Sequence, residues 1–457
     1  LLRQLAVRFQ TLAPLLAWVA VVQVARAEPP REHEAVESAV APAADRESLV
    51  RWALERDPML RAIEAKRRSG YARAEASSLR PPPEAMAQVW QVPLERPHRV
   101  DEAGMVMAGV QQTFAPAGVR RVMRAAERAE ADAEALEGDA RKRELRRMVS
   151  HAFVDWVQAV ELHHAHGDHQ RIAEELASAA RARQSVSGNI VELSEAEAEV
   201  EMIEADELAD GERISAAQAR LNSLLRRDID APLPNAVLDS PPSELPKNAD
   251  VVRGARERRP ELAMARARRD TQALRIRSAE REARSPMTTL GAFYFAPTMP
   301  MKEHGYGVSV AMSLPWLGRA TSSRVSAERA EHSARSAEVE ATRAELEVQA
   351  VEAAAMARAS LRRLMTLRDR SLPARKRTYA AALALYATGG TELADLLRLR
   401  RDLVELELEL IATRAELEHA VVDLEWASGL VVPRERARPA SASAGPADSA
   451  SPNASQP

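Results

Sequence analysis

The sequence predicts a mostly α protein with a small β part, in which long coiled-coil helices join four short strands that several copies of the chain pool into one transmembrane β-barrel. Three observations predict it. Of 457 residues, 46% are hydrophobic and 29% charged but only 4% aromatic, the balance of long Ala/Leu/Arg/Glu helices and not of an aromatic-rich globular core. The chain repeats itself at an interval of roughly 200 residues, far longer than a solenoid unit. Four short segments, two in each repeat, break the helical pattern.

The repeats align on their punctuation. RWALERDPMLRAIEA (Arg51 to Ala65) matches VRGARERRPELAMARA (Val252 to Ala267), with Pro58 opposite Pro260 and Leu60 opposite Leu262. GVQQTFAPAGVRR (Gly109 to Arg121) matches SVAMSLPWLGRA (Ser309 to Ala320), and Ser187-Gly188-Asn189 matches Thr388-Gly389-Gly390. The organisation expected is a signal peptide over 1–27, an N-terminal extension over 28–46, a first structural repeat over 47–230, a Pro-rich connector over 231–248, a second repeat over 249–430 and a disordered tail over 431–457. The signal-peptide reading rests on Arg3 and Arg8, the apolar run Leu12 to Val24 and the small-x-small site Ala25-Arg26-Ala27. No later stretch approaches the roughly 20 apolar residues of a membrane-spanning helix, so a membrane passage by the mature chain has to use strands.

Within each repeat the expected order is helix, two strands, very long helix, turn, long helix. No proline occurs between Gly118 and Ala231, and residues 118–186 read as one helix of about 100 Å at 1.5 Å per residue. Gly138 and Gly167 inside it each cost about 1 kcal/mol relative to Ala. In the second repeat the corresponding helix runs from Gly318 to Tyr386, with Pro373 expected to kink it. The helices after the turns carry 3–4 seams. One reads Leu396, Leu399, Leu403, Leu406, Leu410, Thr413, Leu417, Ala420, Leu424; the other reads Leu193, Ala196, Val200, Ile203, Glu207, Asp210, Ile214, Ala217, Leu221, where Glu207 and Asp210 interrupt it.

The strand segments are Glu84 to Pro93, Met105 to Phe114, Met287 to Ala296 and Tyr306 to Pro315, each near the ~9–11 residues a tilted strand needs to cross a bilayer. The last alternates best: Tyr306, Val308, Val310, Met312 and Leu314 on one face, Gly307, Ser309, Ala311 and Ser313 on the other. Phe293, Tyr294, Phe295, Tyr306 and Trp316 gather here, as rings do at a membrane–water boundary. Four strands cannot close a barrel, and an open edge in lipid leaves backbone groups unsatisfied. Two protomers would give eight strands and three would give twelve. Two hairpins of a soluble sandwich are the alternative reading of the strands alone.

The doubled helix–hairpin–helix–turn–helix order, Asp57-Pro58 followed by Leu60, and the turn YATGGTELADLL from Tyr386 to Leu397 together resemble the TolC-type outer membrane factors, across nearly all of the mature chain. That resemblance implies a homotrimer whose twelve strands form a β-barrel in outer-membrane lipid and whose helices form an α-barrel through the periplasm. It implies a periplasmic adaptor and an inner-membrane pump as partners, and a passive conduit for small molecules or metal ions. It places the two turns, Ser187, Gly188, Asn189 and Thr388, Gly389, Gly390, at the periplasmic tip as adaptor-docking positions. Asp395 then matches an aspartate lining the closed mouth, while Arg398 stands where a second acidic residue is usual and can pair with Asp395 three residues away. Glu192, Ser194 and Glu195 are the first-repeat positions at the mouth.

The remaining candidates are few. His163 and His166, in ELHHAHGDHQ, lie one helical turn apart and could share a metal ion, although a site needs three or four ligands and neutral histidines at a helix seam explain the same letters. The chain has no cysteine, which excludes disulfides and thiolate chemistry. Its net charge of −3 is interleaved and gives no basic stripe for a nucleic acid. Carboxylates sit among arginines at i,i+3 and i,i+4 spacing as helix-stabilising pairs. No cofactor, catalytic residue or enzymatic activity is assigned. The competing reading is a soluble periplasmic coiled-coil scaffold or adaptor without a barrel.

Overall fold

The computed structural model describes residues 45–99, 102–187, 190–234, 236–298 and 303–434. The expected signal peptide, nearly all of the N-terminal extension, and positions Gly188 and Asn189 lie outside the described residues, as does the tail from 435 onward.

The first repeat comprises α1 (Arg46–Arg56), α2 (Pro58–Ser78), β1 (Glu84–Trp90), β2 (Met105–Phe114), α3 (Val119–Ser187) and α4 (Ile190–Leu225). The second comprises α5 (Asn248–Arg258), α6 (Pro260–Arg284), β3 (Thr288–Ala296), β4 (Gly305–Met312), α7 (Arg319–Thr366), α8 (Leu372–Ala387) and α9 (Leu393–Ser428). A short 3₁₀ turn, Pro315–Leu317, precedes α7. The opening helix of each repeat is broken in two at its proline. Asp57 and Arg259, each preceding a proline, take extended backbone, as the clash with the proline ring requires. Asp57 then caps α2 by accepting from the Met59 N–H at 2.8 Å and is paired with Arg141 of α3 at 2.8 Å. Arg259, at the equivalent position, donates through Nη1 to carbonyls near the end of α9, those of Trp426 and Ala427, and grips both carboxylate oxygens of Glu261 through Nε and Nη2.

α3 runs 69 residues without a break, about 100 Å. Gly138 and Gly167 do not interrupt it, because packing along its length outweighs two glycine penalties. In the second repeat Pro373 acts at the site expected. A π-turn, Leu367–Ser371, separates α7 from α8, and the wider turn lets the missing N–H and the ring be accommodated at the start of α8. Gly389 and Gly118 take φ of +78°, a conformation cheap only for glycine; they turn the chain at the tip and at the entry to α3.

The four strands form one antiparallel sheet in the order β1-β2-β3-β4, so the two hairpins join through β2 and β3. β1 and β4 are its open edges. The connector after α4 runs back along the helices: Leu238 is buried in the core of the first repeat, with Leu49, Val149, Phe153, Trp156 and Leu221. A second core joins Val251, Ala350, Ala354, Leu417, Val421 and Leu424. The described residues reach Arg434, four residues into the segment expected to be tail. Val432 is buried there, and Arg434 pairs with Glu418 and with Glu425.

Candidate functional site

The sheet has two unlike faces. Directly opposed residues of an antiparallel pair share a face, and the register sets Ala85, Val110, Ala292 and Val308 in one row. The next rows on that face hold Ala87, Ala108, Tyr294 and Tyr306, and Val89, Val106 and Ala296. Leu290, Val310, Met312 and Phe114 continue it, with Gln112 beside Leu290 and Thr288 between Phe114 and Met312. The opposite face carries Glu84, Gln88, Gln111, Thr113, Thr289 and Ser309, with glycines 109, 291, 305 and 307, and also Met86, Trp90, Met105 and Met107. Tyr306 is 87% exposed and Val308 83% exposed, a large apolar surface left uncovered on a single chain. The aromatic cluster divides between the faces. Tyr294 and Tyr306 stand opposite each other on the apolar face with ring centroids 5.9 Å apart. Phe293 and Phe295 lie on the other, where their rings cover Gly109 and Gly307, positions at which any Cβ would collide with them.

At the far end of the helices, α3 and α4 form one hairpin and α8 and α9 the other. They meet in a core of Ala177, Ala180, Ala196, Ala382, Leu393, Leu396 and Leu397. Asp395 and Arg398 are exposed on the first two turns of α9 and paired with each other at 3.1 Å. Ser194 and Glu195 are exposed and Glu192 half-buried on the first turns of α4. Thr388, Gly389 and Gly390 form the exposed second turn, the Gly390 N–H donating to the Leu385 carbonyl at 2.8 Å. Ser187 is the last residue of α3.

Between tip and sheet the helices are stitched by buried polar pairs. Asp210, which interrupts the α4 seam, is fully buried and accepts from His166 at 2.5 Å and Arg213 at 2.8 Å. Asp210, one of the two polar interruptions of the α4 seam, is thus matched by His166 across it. His163 is not drawn into this pair, and its Nδ1 has no hydrogen-bond partner. Among the described residues no three His, Asp or Glu side chains are arranged to hold a metal ion. His169 meets Glu407 at 3.1 Å, and Lys376 meets the same carboxylate at 3.1 Å. The His169 bond outweighs the effect of burial and, with Lys376, holds Glu407 down at about 2. Glu199 of α4, itself buried, accepts from Arg401 of α9 at 2.5 Å.

One constellation has a sequence signal that composition and heptads pass over. HAFVD (151–155) on α3 and HAVVD (419–423) on α9 are the same motif in two antiparallel helices. Each histidine reaches the aspartate of the other: His151 Nε2 to Asp423 at 2.8 Å, His419 Nε2 to Asp155 at 2.9 Å. The two Nδ1 atoms face each other at 2.7 Å, with ring planes 21° apart. With both carboxylates ionised, all three bonds form when the two rings together hold three protons. Burial pushes Asp155 up, but the bond from His419 and the charges of His419, Arg220 and His151 outweigh it and leave its carboxyl lowered. Asp423 is lowered in the same way, by His151 and Arg147 against burial.

No helix among the described residues is long and apolar enough to cross a membrane. No curated protein matches the chain in sequence. The chain is similar in fold to CusC, which forms a transmembrane channel, with TM-score 0.70 at 16% identity over 84% of this chain and 91% of that one. It is similar to the outer membrane protein VceC of Vibrio cholerae, with TM-score 0.68 at 17% identity over 84% and 96%. It is also similar to the open state of the MtrE outer membrane channel of Neisseria gonorrhoeae, with TM-score 0.67 at 18% identity over 90% and 97%. Residues 251–430, the second repeat, match the family described as outer membrane efflux protein. The match to that family thus covers the second repeat, while the likeness in fold to these channels extends across both repeats.

Proposed function

We propose that the chain is the outer-membrane channel component of a tripartite efflux system, a homotrimer that passes small molecules or metal ions from the periplasm to the exterior. The observation that carries this reading is the sheet: four strands with two open edges and one uncovered apolar face. Such a sheet is stable in hydrocarbon only when its edges are paired by further copies. Three copies supply twelve strands, with the row from Ala85 to Val308 toward lipid and the glycine-rich face toward the lumen. The helices then continue the tube into the periplasm.

The work of the chain in this reading is passage and gating, with no chemical step. The tip ends of the two hairpins close the tube, and a periplasmic adaptor bound at Thr388, Gly389, Gly390 and the turn around Ser187, Gly188 and Asn189 favours an opened arrangement of the helices. An inner-membrane pump drives the transport. Asp395 and Arg398 stand at the mouth as a paired, nearly neutral unit, with Glu192, Ser194 and Glu195 on the neighbouring hairpin. Carbonate extraction of membranes, followed by planar-bilayer recording of the purified protein, tests the reading. A channel stays with the membrane and gives unitary conductance. Release into the soluble fraction would favour a periplasmic scaffold instead.

A further inference from the structure

We propose that α4 of one protomer docks against α8 and the end of α7 of the next through complementary charge, so that an acidic helix and a basic helix form the seam between copies. The inference rests on the oligomeric channel reading and specifies which surfaces close its ring.

Charge along the two helices is segregated. From Ile190 to Glu212 there are ten acidic residues and no basic one. From Arg362 to Arg377 there are seven basic residues and one acidic. Within the chain only part of this charge is matched. On α4, Glu197 pairs with Arg181, Glu199 with Arg401 and Asp210 with Arg213. Glu201, Glu204, Asp206 and Glu212 are exposed and make no ion pair or hydrogen bond among the described residues. On the basic side Arg363, Arg375 and Lys376 reach carboxylates of α9, whereas the guanidinium groups of Arg362, Arg370 and Arg377 are exposed and unmatched.

Position in the fold makes these surfaces the two flanks of the protomer. α4 packs on α3, α3 on α9, and α9 on α7 and α8. Relative to buried Ile203, the 3.6-residue turn puts Glu201, Glu204, Leu208 and Glu212 on the side of α4 away from α3. Relative to buried Ala382, the same count puts Arg377, Ala380 and Ala384 on the side of α8 away from α9. Leu208 is 72% exposed at the centre of the acidic flank, and Ala380 and Ala384 lie beside Arg377 on the basic one.

Height agrees as well as sign. Ala196 and Ala382 lie in one core cluster, which fixes a common level for the two antiparallel hairpins. Glu201 and Arg377 each lie five residues beyond that level, about 7.5 Å at 1.5 Å per residue. Arg370 then falls level with Leu208, between Glu204 and Glu212, and Arg362 falls within about 6 Å of the level of Glu212. A head-to-tail contact of this kind closes a ring when each copy offers one flank to the next.

The absence of cysteine in the chain makes the test direct. The protein carrying Glu201→Cys and Arg377→Cys, purified in detergent and mildly oxidised, should give an intermolecular disulfide ladder ending at the full assembly. Glu212→Cys with Arg377→Cys, offset by about 16 Å, should not, because Cα atoms more than about 7 Å apart cannot be bridged. Charge reversal supplies the energetic arm. Arg370→Glu with Arg377→Glu should raise the concentration needed for assembly about tenfold or more at low salt, and combining it with Glu201→Arg and Glu204→Arg should restore it. Circular dichroism establishes that each variant keeps its helices. A wild-type assembly with no 201–377 crosslink, or a double reversal no better than the single, overturns the seam and leaves the channel reading intact. A wild-type protein that stays monomeric in detergent and in bilayers overturns both.

Discussion

Val308 and Ser309 are neighbours in β4 whose side chains leave the sheet on opposite faces, and an arginine at each should have very different consequences. Val308 sits in the row Ala85, Val110, Ala292, Val308, in the middle of the apolar face. An arginine on the lipid face near the bilayer midplane costs about 2–4 kcal/mol. A trimer carries it three times, so Val308→Arg should destabilise the assembled barrel by about 6–12 kcal/mol, enough to deplete it from the outer membrane. Ser309 lies on the face of Gly291 and Gly307, which the proposed channel turns toward a water-filled lumen, so Ser309→Arg should cost less than about 1 kcal/mol per copy and register as a change in conductance. Urea titration of the reconstituted protein, with membrane-integrated trimer quantified for both variants, gives the comparison. Equal losses for the two variants, or a Val308→Arg protein as stable as wild type, would refute the assignment of the faces.

Three further outcomes follow from the helices. Removing Arg398 should free the Asp395 carboxylate from its 3.1 Å partner and raise the cation preference of the resting channel, while Asp395→Ala should lower it; the exposed pair is worth at most about 1 kcal/mol, so reversal potentials should shift modestly and in opposite directions. Glu407 is held at about 2 by His169 first, against burial, and then by Lys376. Because its folded value is depressed, its stabilising effect is complete above the ordinary carboxylate range and is lost as pH falls from about 4.5 toward 2. Hydrogen exchange of the α3–α8–α9 contact should rise across that window in wild type and should not in Glu407→Gln. His151→Leu and His419→Leu should each cost about 1–3 kcal/mol by leaving one carboxylate without its imidazole partner. The double variant should cost less than the sum of the two, and strict additivity would show that the rings do not act as one unit.

Much of this architecture is legible in the letters because it rests on local rules. Proline-free stretches and 3–4 seams mark α3, α4 and α9, and β4 announces itself by alternation with period 2. The two turns are marked by glycine. The breaks at Asp57-Pro58 and Arg259-Pro260 follow from the restriction on the residue before proline, a rule that a single opening helix per repeat overlooks. The polar interruptions of the α4 seam are less legible, since Asp210 reads as a fault until His166 is seen across from it. His163 and His166 look like a pair on one helix, yet the partner of His166 lies 44 residues away. The reciprocal HAFVD and HAVVD motifs were available as an internal repeat, but only the antiparallel packing of α3 on α9 shows that each histidine serves the aspartate of the other. Val432 and Arg434, in a stretch rich in arginine and proline, are fixed by Glu418 and Glu425, which no local pattern indicates.

The pooling of strands is tested most directly by spin labels placed one at a time at positions 306 to 312, on a background that has no native cysteine, after reconstitution into liposomes. Oxygen should reach labels at Tyr306, Val308, Val310 and Met312, and a water-soluble paramagnetic reagent should reach those at Gly307, Ser309 and Ala311, with a period of two. Uniform access of the aqueous reagent at all seven positions would mean that β4 never meets lipid.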